Sequence, residues 1–203
     1  MIIKDKKLIY IHINKCAGSS IESFFFGQAI EDHKVIMDFE DSLGSKELND
    51  YFKFSFVRNP WDKTVSFYNF HKKFNVLDTS SGLKNFLLAH PSSWMPKNGS
   101  PLKKTAFTWL GSNYSHLMRS SNQIDWLTDS NGEVRMDFIG RFENLQEDFN
   151  IVCDKIGIPR KQLPHKNKSN HKHYTEYYDE ETKQIVAEKY AKDIEYFGYK
   201  FGE

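Results

Sequence analysis

The chain contains little cysteine and almost no net charge. Its 203 residues include two cysteines, Cys16 and Cys153, whose separation fits no common metal site. A disulfide between them is one alternative, but we favour two reduced thiols in a reducing cytosol. The net charge of +1 argues against a general binder of nucleic acids or membrane surfaces, although local basic patches are compatible with it.

The chain also lacks a long apolar run. No stretch approaches the length of a membrane span, so we expect no stable membrane insertion. The N-terminus does not resemble a signal peptide, because Lys4, Asp5, Lys6 and Lys7 interrupt its apolar residues and no small-residue cleavage site follows. These two absences favour a cytoplasmic protein.

What is present favours one folded domain over residues 1–203, with 39% hydrophobic and 15% aromatic residues. A β-branched run predicts a buried strand over 8–13, followed by a polar loop and a helix over 20–26. A second strand is predicted over 51–57, and a helix begins at Asn59-Pro60. Strand, loop and helix in this order, twice over, indicate an α/β fold with a parallel sheet.

The remainder of the chain is less regular. Residues 75–115 are rich in turn-forming residues and predict an irregular insertion with one short helix near 83–89. Residues 126–140 predict a strand, a turn at Asn131-Gly132 and a second strand. The stretch "FENLQEDFNIVCDKIG" predicts an amphipathic helix, and a last helix is predicted from about Asp179 to Phe197.

The loop after the first predicted strand has the composition of an oxyanion site. It reads "NKCAGSS" over residues 14–20, directly before a helix. A helix N-terminus presents unpaired amides, Lys15 adds a full charge, Gly18 allows close approach, and Ser19 and Ser20 add hydroxyl donors. This is not the nucleoside-triphosphate pattern, in which lysine directly follows the last glycine. The alternative is an ordinary strand-to-helix turn with a surface lysine.

A second candidate anion site follows the second predicted strand. In "FSFVRNPWDKTVSFY", Arg58 ends the strand and Ser66 lies two turns into the next helix. Arginine suits forked binding of a phosphate, and ligands of open α/β sheets gather at strand ends. The alternative is a helix-start ion pair of Arg58 with Asp62. Together, two anion sites at neighbouring strand ends suit a nucleotide that bears phosphate groups at two positions.

Four blocks resemble the sulfotransferases that use 3'-phosphoadenosine 5'-phosphosulfate (PAPS), and most closely their bacterial carbohydrate group. The family opens with F-I-H-I-P-K-T-A-G-T-S, here "YIHINKCAGSS", and continues with R-N-P-[YW]-x-[RK]-x-x-S, here "RNPWDKTVS". A third block leads into "GRFENL", and a fourth covers the C-terminus from "LPHKNKSN" onward. The resemblance implies a P-loop-like three-layer fold, with a central mainly parallel sheet flanked by helices.

The resemblance also implies a site. Lys15 would hold the sulfate and the bridging oxygen, Arg58 and Ser66 the 3' phosphate, and the C-terminal loop would close through Lys168 and Ser169. The 5' phosphate would lie among the amides and hydroxyls of Cys16, Ala17, Gly18, Ser19 and Ser20. The sequence departs from the family at Asn14, where proline is usual, and at 31–34, where "EDHK" replaces a glycine-histidine pair.

Sulfuryl transfer to a sugar hydroxyl needs a base, and we assign this role to His33 from the family pattern. His116 and Glu143 are weaker candidates, and we favour a helix-initiating role for Glu143. We expect no metal, because lysine and backbone amides suffice for a sulfuryl group. His165, His171 and His173 fit no common metal spacing.

The sequence leaves three functions to compare. The first is a PAPS-dependent sulfotransferase acting on a glycan or other hydroxyl-bearing acceptor, with no nucleic-acid partner. The second is a P-loop-like phosphotransferase, which the position of Lys15 and the lack of evident magnesium ligands disfavour. The third is a non-catalytic binder of nucleotides or acidic glycans. The acceptor would be shaped by the insertion, where Trp94 and Trp109 are either sugar-stacking or core residues.

Overall fold

The computed structural model describes residues 1–30, 32–74, 82–88, 122–164 and 172–203. The contacts divide the chain into two units. The first unit comprises Met1–Arg58 and Gln123–Lys168, and the second comprises Asn59–Asn122 and Ser169–Glu203. The single domain expected from the sequence stays a prediction.

The first unit contains a four-stranded sheet in the order β1-β2-β3-β4. Its strands are β1 (Ile2–Ile3), β2 (Leu8–Ile11), β3 (Phe52–Val57) and β4 (Phe138–Arg141). β1 pairs antiparallel with β2, whereas β2–β3 and β3–β4 are parallel. The mainly parallel sheet predicted from the sequence is therefore confirmed. The carboxyl ends of β2, β3 and β4 meet at one edge, as the pairs Ile11–Ser55 and Val57–Arg141 show.

Helices follow the strands in chain order. The described residues contain α1 (Gly18–Phe26), α2 (Ile36–Leu48), α3 (Pro60–Phe74), α4 (Gly82–Leu88), α5 (Leu145–Lys155), α6 (Glu180–Lys189) and α7 (Ala191–Phe197). Short 3-10 turns lie at Lys4–Lys6, Ile124–Trp126, Phe142–Asn144 and Tyr174–Tyr177. None of the helices in the described ranges is long and apolar enough to cross a membrane.

Apolar packing in the first unit joins helices to the sheet. The ring of Phe24 on α1 meets that of Phe149 on α5 edge-on at 4.8 Å, and Phe25 packs 6.4 Å from Phe54 on β3. All four residues of β2 are inaccessible to solvent, as a parallel strand covered on both faces requires.

The second unit has a core of its own. Its buried apolar side chains come from α3, α4, α6 and the turn at Tyr174–Tyr177. They are Trp61, Val65, Tyr68, Leu83, Phe86, Leu87, Tyr174 and Val186. The short helix expected near 83–89 is confirmed as α4, and the rest of the predicted insertion lies largely outside the described residues.

Two predictions about secondary structure were wrong. Residues 126–140 contain the predicted turn at Asn131-Gly132 but not the two strands: an isolated antiparallel bridge joins Thr128 to Val134 around the turn, and β4 pairs with β3 instead. The Asp129 carboxylate accepts hydrogen bonds from the amides of Asn131 and Glu133, and these add to the backbone bonds from Asp129 to Glu133 and from Arg135 to Leu127 that close the turn. The last predicted helix is two helices, α6 and α7, which meet at Tyr190.

Other boundaries differ by less. The first strand ends at Ile11 rather than at residue 13, and α1 begins at Gly18 rather than at residue 20. Helix α2 was not predicted. Its helical backbone is interrupted at Gly44, whose φ of 76° is not helical. The last helix was predicted from about Asp179, and Asp179 caps α6, because its carboxylate accepts a hydrogen bond from the amide of Thr182.

Candidate functional site

The loop between β2 and α1 adopts an unusual backbone conformation. Lys15 and Ala17 have φ angles of 64° and 66°, in the left-handed region that residues with a Cβ rarely adopt. Cys16 between them does not share this conformation. An alternation of this kind turns successive amides toward one side, as in anion-binding nests. Such strain costs about 1–2 kcal/mol per residue and concentrates at functional sites.

Part of the loop is already bonded within the protein. The amide of Cys16 donates to the carbonyl of Ile13 at 3.4 Å, and that of Ser20 donates to Ala17 at 2.9 Å. Gly18 and Ser19 occupy the first two positions of α1, where an amide has no carbonyl partner within the helix. Of the predicted 5'-phosphate residues, Gly18 and Ser19 are therefore the best placed to present amides.

Gly18 is required by a close neighbour. A Cβ built on it would lie 1.7 Å from Nε2 of His12, far inside van der Waals contact. His12 is itself only 4% exposed. The imidazole thus packs directly against the backbone that begins α1, and glycine is the residue that this approach allows.

The structure brings Arg58 to the same loop. Arg58 follows β3, and its Nη1 donates a hydrogen bond to the backbone carbonyl of Lys15 at 3.1 Å. Its guanidinium lies over the ring of Phe142, with Cζ 3.8 Å from the ring centroid. The side chain is only 7% exposed, so its position is closely determined. Lys15 and Arg58 therefore lie together at one edge of the sheet.

The side chain of Gln123 hydrogen bonds to the residues that follow both β2 and β3. Its Oε1 accepts hydrogen bonds from the amide of Arg58 at 2.9 Å and from Sγ of Cys16 at 3.2 Å. Its Nε2 donates to the carbonyl of Arg58 at 2.8 Å. Gln123 is fully buried, where each of these bonds is costly to lose. One amide group therefore fixes the spacing of Cys16 and Arg58.

The predicted base, His33, lies in the segment between α1 and α2. Its Nδ1 donates a hydrogen bond to the backbone carbonyl of His12 at 3.0 Å, because a carbonyl accepts only. The neutral ring therefore has its lone pair on Nε2. The rings of His33 and His12 lie 4.2 Å apart, and the indole of Trp126 meets His33 edge-on at 6.3 Å.

The surroundings of His33 keep it neutral near pH 7. Loss of solvent lowers the pKa of His33 to about 4, and the charge of His12 acts in the same direction. The hydrogen bond to the His12 carbonyl and the carboxylates of Glu22 and Asp32 oppose this effect without cancelling it. His33 is thus a proton acceptor over the neutral range.

Other predicted site residues lie elsewhere or outside the described residues. Ser66 is buried on α3 in the second unit, and its participation stays a prediction. Glu143 is exposed in the turn that precedes α5, as a residue that starts a helix would be. The remaining predicted residues lie outside the described ranges: Lys168, Ser169, His116, Trp94, Trp109, His165 and His171.

The described residues contain no group of three or more His, Cys, Asp or Glu side chains that is arranged to hold a metal ion. Cys16 and Cys153 are both buried, and no disulfide joins them. His173, the third histidine of the C-terminal loop, hydrogen bonds through Nδ1 to the Thr175 hydroxyl at 2.7 Å.

Sequence reasoning missed four residues of this site: His12, Glu22, Gln123 and Phe142. Two of them carried a signal. His12 interrupts the apolar run of the first strand, and Glu22 is a charged residue on a helix whose neighbours Ile21, Phe24 and Phe25 are apolar. Gln123 and Phe142 carried none, because their roles depend on contacts with residues far away in the chain.

Comparison with known proteins agrees with the sequence resemblance. A model of the sulfotransferase family matches residues 1–200. An uncharacterized protein of Archaeoglobus fulgidus is 32% identical over 127 residues, which cover 58% of this chain and 77% of that protein. No solved structure gives a significant match.

Proposed function

We propose, since this chain belongs to the sulfotransferase family, that it transfers a sulfuryl group from PAPS to a hydroxyl group of a carbohydrate acceptor. The observation that carries the proposal is the hydrogen bond from Arg58 to the carbonyl of Lys15. It brings two cationic residues, from two parallel strand ends, to one edge of the sheet. A donor with phosphate groups at the 3' and 5' positions offers one anion to each.

The first strand end suits the phosphosulfate end of the donor. The left-handed residues Lys15 and Ala17 lead into the first amides of α1, and both features are typical of backbone that binds oxyanions. The ammonium of Lys15 supplies the charge that a departing phosphate needs. Ser19 and Ser20 lie in the first turn of the same helix, and their hydroxyls add hydrogen-bond donors.

The second strand end suits the 3' phosphate. The guanidinium of Arg58 is held between a carbonyl and an aromatic ring, which reduces the entropy lost when it binds an anion. We assign Ser66 to the same phosphate, and Lys168 and Ser169 to a loop that closes over the nucleotide, on the family resemblance alone.

PAPS supplies the sulfuryl group, and 3',5'-ADP is the leaving group. His33 accepts the proton of the acceptor hydroxyl at Nε2, while the new bond from oxygen to sulfur forms and the bond from sulfur to the bridging oxygen breaks. Lys15 stabilises the negative charge that builds up on the leaving phosphate. Because the pKa of His33 is lowered to about 4, the imidazole is deprotonated throughout the neutral range, although the same shift makes it a weaker base than an unperturbed histidine.

The carbohydrate acceptor and the cytoplasmic, bacterial setting come from the resemblance and the composition. Trp126, whose indole meets His33 edge-on, is only 1% exposed. It is therefore a core residue and offers no accessible face on which a sugar could stack. We therefore expect an aromatic acceptor site to come from residues of the predicted insertion.

Nucleotide specificity tests the proposal first. In a thermal-shift assay we expect stabilisation by 3',5'-ADP without magnesium and little effect of ATP, with or without it; a ligand at 100 times its Kd adds about 2.7 kcal/mol. Stabilisation by ATP with magnesium alone would indicate a phosphotransferase. Nucleotide binding without transfer to any acceptor would indicate a binding protein.

Transfer itself is measured with labelled PAPS against a panel of glycans and small alcohols. We expect Lys15→Ala and Arg58→Ala to abolish transfer, whereas the exposed Lys46→Ala and Arg160→Ala leave it unchanged. Normal turnover in either site variant refutes the assignment of these two residues.

A further inference from the structure

A fully buried carboxylate lies beneath the proposed base. Glu22 on α1 is 0% exposed, and its Oε1 accepts a hydrogen bond from Nδ1 of His12 at 2.8 Å. Its Oε2 accepts a second hydrogen bond from the amide of Ile30 at 2.8 Å. A buried charge is tolerated only when it is paired and hydrogen-bonded, and Glu22 meets both conditions.

These two hydrogen bonds hold His12, which contacts His33, and Ile30, which precedes His33 in the chain. His12 contacts the base twice, through the carbonyl that accepts from Nδ1 of His33 and through the ring 4.2 Å from the imidazole of His33. Ile30 belongs to the segment that leads from α1 to His33. One carboxylate therefore anchors the residue under the base and the chain that carries the base.

The carboxylate also sets the orientation of His12. An ionised carboxylate accepts only, so Nδ1 of His12 carries the hydrogen and Nε2 faces the backbone of Gly18. The ring is then held between α1 and the base. Because His12 is 4% exposed, solvent has little part in this orientation.

We propose that Glu22 and His12 are positioning residues, which orient the ring of His33 so that Nε2 is the proton acceptor. This inference rests on the proposed function, since it concerns the base of that reaction. The substitution Glu22→Gln would leave one carbonyl oxygen for two donors, so either His12 or Ile30 would lose its partner. The expected result is a base that is present but poorly oriented.

The first test reads the ring itself and needs no turnover. Long-range 1H–15N correlation spectra of the imidazoles report the tautomer and the titration midpoint, and the His33→Gln variant identifies the signals of His33. In the unsubstituted protein we expect the Nδ1–H tautomer. In Glu22→Gln we expect a mixture of tautomers and a lower midpoint. Among the described residues, the charges that act on His33 are those of His12 on the strand side, Glu22 on α1 and Asp32 in its own segment, and Glu22→Gln removes one of these two anions.

The second test is kinetic. Glu22→Gln should lower kcat by about 100-fold, with little change in KM for PAPS, because small displacements of a reacting group cost this much. Asp129→Asn is the matched control, since Asp129 is also a buried carboxylate with backbone-amide partners, yet it closes a separate turn. The control should change stability and leave kcat unchanged.

The outcomes separate this inference from the proposed function. An Nε2–H tautomer in the unsubstituted protein, or a tautomer and midpoint unaltered in Glu22→Gln, overturns the positioning role whether or not transfer occurs. Equal kcat values in Glu22→Gln and Asp129→Asn overturn it while leaving the sulfotransferase assignment standing. Absence of transfer to every acceptor, with the expected tautomer, overturns the proposed function alone. If Glu22→Gln does not fold, Glu22→Asp and the spectra of the unsubstituted protein decide.

Discussion

The two strand ends that form the candidate site are built in different ways. After β2 the site is mostly backbone: two left-handed residues, a glycine and the start of a helix, all within residues 14–20. After β3 it is one side chain, that of Arg58, held by residues from distant parts of the chain. Gln123 is 65 positions from Arg58, and Phe142 follows β4.

This difference predicts which substitutions disturb each half of the site. A backbone site depends on local conformation and on what packs beneath it, here the His12 ring against Gly18. A side-chain site depends on tertiary contacts that set the position of one flexible group. We therefore expect substitutions at the first strand end to disturb folding and binding together. Substitutions around Arg58 should weaken binding more selectively.

Gly18→Ala should have the largest effect. The added methyl group would overlap the His12 ring, and relieving this overlap would displace either the start of α1 or the histidine, at a cost of roughly 3 kcal/mol. Chemical denaturation measures this loss, and calorimetry with 3',5'-ADP measures binding. Gly27→Ala is the comparison, because a Cβ built at Gly27 meets nothing within 4 Å, so the substitution costs only the strain of a positive φ of 75°, which Gly18 does not have. A loss in Gly18→Ala no larger than that in Gly27→Ala would show that the overlap with His12 costs little.

Acid should destabilise the protein through His33. This residue is part of the first strand end because its Nδ1 is hydrogen-bonded to the backbone carbonyl of His12. The pKa of His33 is lowered from 6.5 to about 4 in the folded state, so the unfolded chain binds the proton more readily. The contribution is present above pH 6.5 and is lost as the pH falls toward 4, by about 3 kcal/mol in total. Denaturation at a series of pH values gives the free energy of unfolding, which should change less with pH in His33→Gln than in the unsubstituted protein. Parallel curves would contradict the lowered pKa.

Gln123→Glu tests the link between the strand ends. The carboxylate still accepts from the Arg58 amide, but it no longer donates to the Arg58 carbonyl, and it places a charge in a fully buried position. We expect 3',5'-ADP to bind roughly 10-fold more weakly, which corresponds to about 1.4 kcal/mol.

The matched control for this substitution is Gln146→Glu. Gln146 also bridges backbone groups, accepting from the amide of Leu163 and donating to the carbonyl of Lys161. The Gln146→Glu variant should be less stable than the unsubstituted protein but should bind 3',5'-ADP with the same affinity. Equal affinities of the two variants for 3',5'-ADP would show that Gln123 has only a general structural role.

Phe142→Leu should have the smallest effect. It removes the ring beneath the guanidinium of Arg58 and with it about 1 kcal/mol of cation–π attraction, so nucleotide affinity should fall about 5-fold. Phe52→Leu removes a ring that stacks on Phe54 in the sheet and serves as the comparison. Calorimetry that gives the same affinity for both variants would exclude a role for Phe142 in the site.

The sequence predicts the backbone half of the site better than the side-chain half. The apolar run of β2, the small residues after it and the start of α1 are neighbours in the chain, so their pattern indicates strand, anion loop and helix directly. The capped starts of α3 and α6 follow from Asn59-Pro60 and Asp179 in the same way.

Tertiary contacts leave no such pattern. β4 pairs with β3, which is far away in the chain, rather than with the residues that precede the turn at Asn131-Gly132. The bonds of Gln123 to Cys16 and Arg58 span 107 and 65 positions, and no local periodicity reports them. The His12–Glu22 pair carries a weak signal, two ionisable residues in apolar surroundings, but the sequence does not indicate that they meet.

The central claim is that the two strand ends bind one doubly phosphorylated nucleotide. Calorimetric titration with 3',5'-ADP and 5'-AMP tests it directly, because the two ligands differ only in the 3' phosphate. We expect the unsubstituted protein and Arg160→Ala to prefer 3',5'-ADP by about 10-fold or more, and Arg58→Ala to bind both alike. A preference for 3',5'-ADP that survives in Arg58→Ala, or its absence from the unsubstituted protein, would contradict the account.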